Sequence, residues 1–422
     1  MMNAPLRLLC PAVALVGSML AAACAGPPEE LGEPVVLAAG GASNATLAMD
    51  PSSGLVYAAW VGTTDGVSDV WLATVDADGF VSAPVRVNDV PGDAAPHFQA
   101  PPQVAVGPDG SVYVAWTNNT IIEGRRFPAS NLRFARSDDG VTFEPALTVN
   151  DDAGGPPSSH TFHNLLVARD GTIYVSWLDG RRDEAAPVEV HPAEGGPAVS
   201  PAVPGPDVRV AASTDGGRTF GPSRVVDMQT CPCCRTAMAV GPDGTLFVAW
   251  RKIYEGDVRD IVVARSHDHG ATWSEPVRVA PDDWVFPGCP HAGPSLAVDG
   301  EGALHVAWYT GKPDAPGLYH ASSSDGGASF GPAHALLTGE WVPPSQVALA
   351  VGRDGRLRVA WEDRLVQPAG VRFAVAGEEG LESVRSQLFQ PATNPALVAR
   401  GGRSVLVWLD GEVLRLAVGE GS

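Results

Sequence analysis

A dense run of cysteines is the part of this sequence with the clearest capacity for chemistry. Three of the six cysteines in the 422-residue chain, Cys231, Cys233 and Cys234, stand in the segment "CPCC", immediately before an apolar stretch. Cys231 and Cys234 have the two-residue separation that is common to metal-binding and redox motifs. A second segment, "CPH" at 289–291, adds the thiol of Cys289 and the imidazole of His291. These residues form a candidate site if the fold brings the two segments together.

Three kinds of chemistry fit these residue types. Thiolates and imidazoles that converge are ligands for copper(I) or zinc. The four cysteines are also an even set, so Cys289 could form a disulfide with one of the other three and leave two to pair with each other. A reactive thiol is the third option, although the C-x-x-C motif of thioredoxin-like proteins precedes a helix, and here a strand is predicted to follow. The sequence alone leaves the metal site and the disulfides open.

Several arginines could surround the same site and bind an anion. Arg235 follows the cysteine run directly, while Arg251 and Arg181 lie just after apolar segments, in "VAWRK" and "SWLDGRRDE". Guanidinium groups bind carboxylates through paired hydrogen bonds, so this set suits an acidic ligand. The alternative is that these arginines pair with nearby carboxylates, among them Asp183, at the protein surface.

The chain contains an internal repeat that must position these residues. Each copy consists of a short apolar segment, a glycine-containing turn such as "GPDG", and a second alternating segment that ends in tryptophan. Asp-Gly between alternating apolar residues is a strong signal for a β-hairpin. We therefore expect the terminal tryptophans to occupy equivalent positions. Seven copies are found, at residues 46–60, 103–116, 164–177, 237–250, 295–308, 348–361 and 396–408.

A third and a fourth strand follow most copies, which predicts an all-β fold, a β-propeller of four-stranded blades. Seven blades are predicted, with six as the alternative. The last copy is followed by only one more strand, whereas "EPVVLA" at 33–38 resembles the fourth strands "SEPVRVA" and "APVRVN". We therefore expect the N-terminal strand to complete the last blade, so that the ring closes without exposed strand edges.

The loops that enter the first strand of each blade converge on one face of a propeller, where binding sites usually lie. When these loops are aligned by their distance from the first strand, Cys231 and Cys289 take the same place, and so does His97. The alignment places the thiols of Cys233 and Cys234, and the imidazoles of His160 and His163, at or near the start of the first strand on the third and fourth repeats. Cys289 and His291 have the corresponding places on the fifth repeat. The alignment predicts one cluster at the mouth of the propeller, formed by Cys231, Cys233, Cys234, Cys289, His291, His160 and His163.

The turns between third and fourth strands carry a second motif, Ser-x-Asp-x-Gly-x-x-aromatic. It is complete in "STDGGRTF", "SHDHGATW" and "SSDGGASF", and partly kept in "RSDDGVTF" at 136–143, where Arg136 stands in the serine position. The carboxylate of such a turn can accept hydrogen bonds from backbone amides, and the glycine supplies a backbone conformation that other residues rarely adopt. We therefore expect a structural role for Asp138, Asp215, Asp268 and Asp325.

With these Asp boxes and four-stranded blades, the sequence resembles the sialidase superfamily over nearly the whole mature chain. In an active member, the resemblance implies three arginines that hold the substrate carboxylate, a Tyr/Glu nucleophile pair and an Asp acid–base. By position, Asp183 matches the acid, and Arg235, Arg251 and Arg181 are the arginine candidates. Two features depart from the family. Sialidases have six blades, and "TFHN" at 161–164 stands where the Arg-Ile-Pro segment would supply the first arginine.

The N-terminus has the features of a secretory signal, because Arg7 precedes an apolar run that ends in "LAAAC" at Cys24. This ending resembles a bacterial lipobox, in which the cysteine is lipidated; a plain signal peptide is the alternative. The predicted organisation is a signal over 1–23, a short linker over 24–32 and the propeller over 33–422. We expect export across the inner membrane, and anchoring through Cys24 on the periplasmic side or at the cell surface.

Charge and architecture together limit the functions to be expected. The formal net charge of −20 argues against nucleic acids and anionic membrane surfaces as partners. The first expectation is a ligand- or metal-binding module, with copper or zinc at the Cys/His cluster. The second is an exo-sialidase-type hydrolase that acts on sialic acid or a related acidic sugar. The third is a scaffold for protein partners, and the chain is expected to be a monomer.

Overall fold

The computed structural model describes residues 29–125, 128–152, 154–182, 205–377, 380–381, 385–400 and 402–419. In these ranges the chain forms twenty-eight strands, β1 to β28, and one 3-10 helix, Glu255–Asp257. The strands make seven antiparallel sheets of four strands each. The described part of the chain contains no helix that is both long and apolar enough to cross a membrane.

The sheets are the blades of a propeller, and we number them along the chain. Strand β1 (Val35–Ala38) belongs to the last blade. Blade 1 contains β2 (Ala42–Met49), β3 (Val56–Thr64), β4 (Val67–Val75) and β5 (Val85–Arg86); blade 2 contains β6 (Gln103–Val106), β7 (Val112–Thr120), β8 (Ala129–Ser137) and β9 (Leu147–Thr148). Blade 3 contains β10 (His160–Val167), β11 (Ile173–Asp179), β12 (Asp207–Ser213) and β13 (Arg224–Asp227); blade 4 contains β14 (Ala237–Val240), β15 (Leu246–Tyr254), β16 (Val258–Ser266) and β17 (Val277–Arg278). Blade 5 contains β18 (Ser295–Val298), β19 (Leu304–Thr310), β20 (Gly317–Ser323) and β21 (His334–Thr338); blade 6 contains β22 (Val347–Val351), β23 (Leu357–Asp363), β24 (Gly370–Val375) and β25 (Gln387–Phe389); blade 7 contains β26 (Thr393–Arg400), β27 (Arg403–Asp410), β28 (Val413–Val418) and β1.

The hairpin between β14 and β15 shows why the repeat carries "GPDG". Gly241 donates its backbone N–H to the carbonyl of Thr245 (2.8 Å), and the Asp243 carboxylate accepts the backbone N–H of Thr245 (3.0 Å). Gly244 has φ of 87°, a conformation that favours glycine. These turn residues fix the register of the two strands, in which Val240 pairs with Leu246.

The seven repeat tryptophans occupy equivalent places, as predicted. Each lies on the second strand of its blade and is at most 6% exposed. The described part of the chain contains seven buried apolar clusters, and each combines residues of two adjacent blades. The tryptophans are therefore part of the contacts that hold one blade against the next: Trp60, Trp116, Trp177, Trp250, Trp308, Trp361 and Trp408.

The N-terminal strand closes the ring, which confirms the predicted closure and the seven-blade count; the six-blade alternative is wrong. In blade 7, β1 pairs antiparallel with β28, with Val35 opposite Leu416 and Val36 opposite Arg415. Leu37 is buried in the cluster between blades 7 and 1, together with Leu416. The first and last described parts of the chain thus share one sheet, so the last blade has its full set of four strands.

The three complete Asp boxes form hydrogen-bonded turns at the ends of the third strands of blades 3, 4 and 5. Ser213 donates its hydroxyl to the Asp215 carboxylate (2.8 Å) and accepts the backbone N–H of Gly217 (3.0 Å). The turns of Asp268 and Asp325 repeat both bonds. Hydrogen bonds from Thr272 lower the pKa of Asp268 to about 2, so that the carboxylate stays ionised as an acceptor.

The box of blade 2 is shifted by one residue from the expected position. Ser137, the last residue of β8, donates to the Asp139 carboxylate (2.9 Å) and accepts the backbone N–H of Gly140 (2.9 Å). Asp138 instead pairs with Arg136 and is 75% exposed. The sequence aligns Gly140 and Phe143 with the glycine and the aromatic residue of the other boxes. The turn from the serine to this glycine is, however, one residue shorter than in those boxes. The serine is fixed by its buried place at the strand end, so the structural aspartate is Asp139.

This difference is testable with two neighbouring substitutions. Asp139→Ala should lower the melting temperature, because three backbone and hydroxyl donors of the turn lose their acceptor. Asp138→Ala is the matched comparison and should lower the melting temperature less, because its partner Arg136 keeps a second carboxylate, that of Glu144 (3.5 Å). Ser137→Ala should reduce the free energy of unfolding by about 1 kcal/mol, because the buried hydroxyl takes part in both bonds. Equal effects of the two aspartate substitutions in thermal denaturation would restore the original assignment.

Candidate metal centre

Two loops on neighbouring blades carry the cysteines. Cys231, Cys233 and Cys234 lie in the loop that leads from β13 to β14, the first strand of blade 4. Cys289 and His291 lie in the corresponding loop from β17 to β18, the first strand of blade 5. The loops have equivalent places in the repeat, so the closed ring sets them side by side.

Backbone hydrogen bonds fix the first loop between blades 3 and 4. Cys231 donates its N–H to the carbonyl of Arg251 on β15 (2.8 Å), and Thr236 donates its N–H to the carbonyl of Phe162 on β10 (3.0 Å). The polypeptide itself therefore determines where the thiols of this loop lie.

The three thiols of the first loop are buried and in contact. The Sγ atom of Cys231 lies 3.6 Å from that of Cys233 and 3.5 Å from that of Cys234. All three side chains belong to the apolar cluster between blades 3 and 4, and each is at most 4% exposed. Their ligand atoms form one group in which every separation is 4.8 Å or less.

Cys233 also belongs to a second group of ligand atoms, with Cys289 and His291. These three atoms again lie within 4.8 Å of one another, although Cys289 is exposed. All four of these cysteines are free thiols in the structure. The cluster expected from the loop alignment therefore exists for five of its seven members, and Cys233 is the residue that both groups share.

Guanidinium groups provide positive charge beside the buried sulfurs. Arg259, on the third strand of blade 4, donates from Nη1 to the Sγ atom of Cys231 (3.2 Å). Hydrogen bonds with the Cys233 and Cys234 thiols lower the pKa of Cys231 well below its usual value, and the charges of Arg251 and Arg259 act in the same direction. These surroundings therefore favour the thiolate of Cys231, the form that binds metals.

The other thiols respond differently to their surroundings. Burial raises the pKa of Cys234 to about 12. Hydrogen bonds with Cys231, Cys234 and Cys289 raise the pKa of Cys233. The hydrogen bond from Cys233 lowers the pKa of Cys289 to about 7, so this exposed thiol is partly ionised at neutral pH. The pKa is thus lowered at the two ends of the cluster, Cys231 and Cys289, and raised at Cys233 and Cys234.

A cavity of about 450 Å³ opens next to the second group of ligand atoms. It runs from the entry loops of blade 2 to those of blade 5, and Cys233, Cys289 and His291 form part of its wall. His97 and Phe162 face it from blades 2 and 3, and the ring centroids of His97 and His291 are 6.4 Å apart. The cavity gives a small molecule access to one side of the cluster only, since Cys231 and Cys234 do not line it.

His160 and His163 do not join the cluster, contrary to the expectation. His160 contacts the carbonyl of Ser130 through Nδ1 (2.7 Å) and the carboxylate of Asp152 through Nε2 (3.0 Å). His163 contacts the carbonyl of Ala115 through Nε2 (3.1 Å). Neither takes part in a group of converging metal-ligand atoms among the described residues. The reason is that β10 begins at His160, so both are strand residues that pack against blade 2 rather than loop residues at the mouth.

Arg251 is used by the fold itself. Its side chain is 1% exposed, and it donates hydrogen bonds to the carbonyls of Arg259 (3.1 Å), Ala292 (2.9 Å) and Tyr309 (2.7 Å). It therefore connects blade 4 with blade 5 beneath the two cysteine loops, and its donors are not directed at a ligand.

The other arginine candidates have different surroundings. Arg181 pairs with Asp179 (2.7 Å) and Asp151 (2.8 Å). Burial lowers the pKa of the Arg235 guanidinium, while the charges of Glu362 and Cys234 act in the opposite direction. Asp183, the candidate acid, lies outside the described residues, as does Cys24. Arg251 and Arg181 thus have their donors occupied by protein groups, so these candidates do not provide the three free arginines that an active sialidase would need.

Arg259 is the contributor that sequence reasoning missed. It lies 28 positions after Cys231 and on another strand, and no spacing rule connects the two. Its place follows from the pairing of β15 with β16, in which Ile253 lies opposite Arg259. His97 has the corresponding loop offset, and its ring lines the cavity 6.4 Å from that of His291.

Comparisons with known proteins identify the fold. No protein-family model matches the sequence, and no curated protein does so either. Among solved structures, an ulvan lyase is similar with a TM-score of 0.57 and 13% identity, over 92% of this chain and 96% of that chain. A Hadza microbial sialidase is similar with a TM-score of 0.51 and 16% identity, over 82% and 73% of the two chains. A protein of unknown function from Dyadobacter fermentans has a TM-score of 0.50 and 18% identity, over 76% and 94%.

These likenesses confirm the sialidase-like propeller architecture that the Asp boxes implied. The sequence identities are low, so they concern the fold and carry no conclusion about substrate.

The difference in exposure among the thiols predicts their order of reaction. In the metal-free native protein, iodoacetamide should alkylate Cys289 well before the three buried thiols, because it is exposed and has the pKa of about 7. Mass spectrometry of peptides at increasing times measures the order. Cys289→Ser is the control and should remove the fast phase. Fast labelling of Cys231 or Cys234 instead would show that the first loop opens in solution.

Proposed function

We propose that this propeller of sialidase-like fold is a soft-metal-binding protein, which holds copper(I) or zinc at the cluster of Cys231, Cys233, Cys234, Cys289 and His291. The observation that carries the proposal is the convergence of four thiols and one imidazole from two neighbouring loops. Soft thiolate ligands select copper(I) and zinc over hard cations such as calcium and magnesium.

The spacing of the sulfurs supports this function. Ligands of a tetrahedral ion with metal–sulfur bonds of about 2.3 Å lie about 3.8 Å apart. The sulfur of Cys231 is 3.6 Å from Cys233 and 3.5 Å from Cys234. A small outward movement of these side chains would accommodate an ion, and Arg259 already favours the thiolate form of Cys231 that the ion requires.

The proposal places the protein outside the cytoplasm. The signal-like N-terminus and the lipobox-like "LAAAC" support export and anchoring through Cys24. Only a few residues separate Cys24 from Leu31, which pairs with Gly419 beside the last blade. The propeller would then lie close to the membrane, and fractionation of cells tests this part of the proposal.

Metal analysis and thiol titration test the function directly. The purified mature chain should contain copper or zinc, and after its removal about four thiols should react in denaturant. His291→Gln should weaken zinc binding at least tenfold, measured by competition with a chromophoric chelator, since it removes a ligand. His160→Gln is the matched control and should leave metal affinity unchanged, because that imidazole lies outside both ligand groups.

Two results would contradict the metal function. Absence of any reactive thiol in the denatured protein would show that the cysteines are disulfides, with Cys289 bridged to the first loop. Four free thiols together with no measurable binding of copper(I) or zinc would leave a thiol cluster without metal.

Binding of an acidic glycan is a second candidate function. The cavity beside the cluster is the supporting observation, because a propeller of similar fold is described as an ulvan lyase bound to a GlcA-Rha3S glycan, with a TM-score of 0.56 and 13% identity. Arg251 and Arg181 serve the fold, which favours binding over hydrolysis.

We expect binding to sulfated or uronic-acid glycans in an array, without turnover of a fluorogenic sialoside. Turnover would support the exo-sialidase alternative, and the absence of glycan binding would exclude this candidate.

A further inference from the structure

We propose that the cluster binds two copper(I) ions, with the thiolate of Cys233 as the bridge between them. The inner ion would be held by Cys231, Cys233 and Cys234, and the outer ion by Cys233, Cys289 and His291. This inference rests on the proposed function and deepens it, since it states the number of ions, their oxidation state and the role of each ligand.

The number of ligands exceeds what one ion accepts. The structure offers five ligand atoms, whereas zinc and copper(I) in thiolate sites take at most four. The five atoms also form two overlapping groups of three rather than one compact set. Two ions that share one ligand use every atom of the cluster, and each then has three protein ligands.

Cys233 has the position that a bridging ligand needs. It is 4% exposed, its sulfur is 3.6 Å from that of Cys231, and it belongs to both groups. Its hydrogen bonds with Cys231, Cys234 and Cys289 also show that it contacts thiols of both loops. A thiolate has several lone pairs and can bind two soft cations at once, which an imidazole nitrogen cannot do.

The balance of charge favours copper(I). The four cysteines bind metal as thiolates, which places four negative charges in a mostly buried site. Two copper(I) ions reduce the net charge of the cluster to about −2, and Arg259 and Arg251 supply the two compensating positive charges. Two zinc ions would neutralise the thiolates completely, so the buried Arg251 would lose this counter-charge, whereas Arg259 would keep the carboxylate of Asp257 (3.7 Å).

The two positions differ in access. The inner ligands Cys231 and Cys234 lie in the apolar cluster, away from the cavity wall. The outer ligands Cys289 and His291 line the cavity, and His291 Nδ1 is buried without a hydrogen-bond partner among the described residues. The outer ion would therefore have an open coordination position toward the cavity, where a small soft donor such as a thiolate can bind it or remove it.

An anaerobic titration with copper(I) tests whether Cys233 bridges two ions. The reduced, metal-free mature chain is titrated in the presence of bicinchoninate as the competing chelator. The wild-type chain should bind two ions, and X-ray absorption should show copper–copper scattering. Cys289→Ser, which changes an exposed residue, should retain one ion and lose that scattering. Cys234→Ser should also retain one. Cys233→Ser should weaken both ions at least tenfold, while His160→Gln, the control, should retain two.

The outcomes separate this inference from the proposed function. One tightly bound ion in the wild-type chain, or the loss of only one ion in Cys233→Ser, would overturn the bridge and leave a mononuclear metal protein. Binding of neither copper(I) nor zinc would overturn the proposed function as well. Circular dichroism of each metal-free variant confirms that it is folded, and a chelator should remove the outer ion of the wild-type chain before the inner one.

Discussion

Closure of the ring by the pairing of β1 with β28 is the constraint on which the rest of the structure depends. An open array of seven blades would leave an unpaired strand edge and would not fix the angle between successive blades. Once Val35 pairs with Leu416, each blade packs against two neighbours through a buried apolar cluster. That angular restriction holds the loops of blades 4 and 5 together, so that Cys289 lies beside Cys233.

Two features of the cysteine cluster have opposite effects on the charge of its sulfur atoms. Burial in the apolar cluster between blades 3 and 4 disfavours charged sulfur, as the raised pKa of Cys234 shows. Arg259 and Arg251 favour charged sulfur, and both are themselves buried and held by their own strands. A soft cation would satisfy both conditions, because it neutralises thiolates without the need for water. The electrostatics and the geometry thus support the same proposal.

The structural turns of the propeller and its candidate functional loops lie in different parts of each blade. The Asp boxes lie in the turns between third and fourth strands, and their carboxylates serve backbone amides of the same turn. The loops at the strand entries carry the thiols, the histidines and the cavity. Solved structures of similar fold include a sialidase and an ulvan lyase, so one fold occurs in proteins of different activity. Here Arg251 and Arg181 are bound by protein groups, and the sulfur cluster is the distinctive chemical feature of that face.

The sequence by itself determined the all-β class, the seven blades, the place of the tryptophans and the proximity of the two cysteine segments. These follow from a repeat whose period is local and whose turns, such as Asp243-Gly244, are set by neighbouring residues. Tertiary structure alone decided that Asp139 replaces Asp138, that His160 faces Ser130 and Asp152, and that Arg259 reaches Cys231. The physical reason is that a side chain's direction depends on where its strand begins and on which neighbour it meets across the sheet. Local spacing fixes neither of these, whereas the closed ring fixes both.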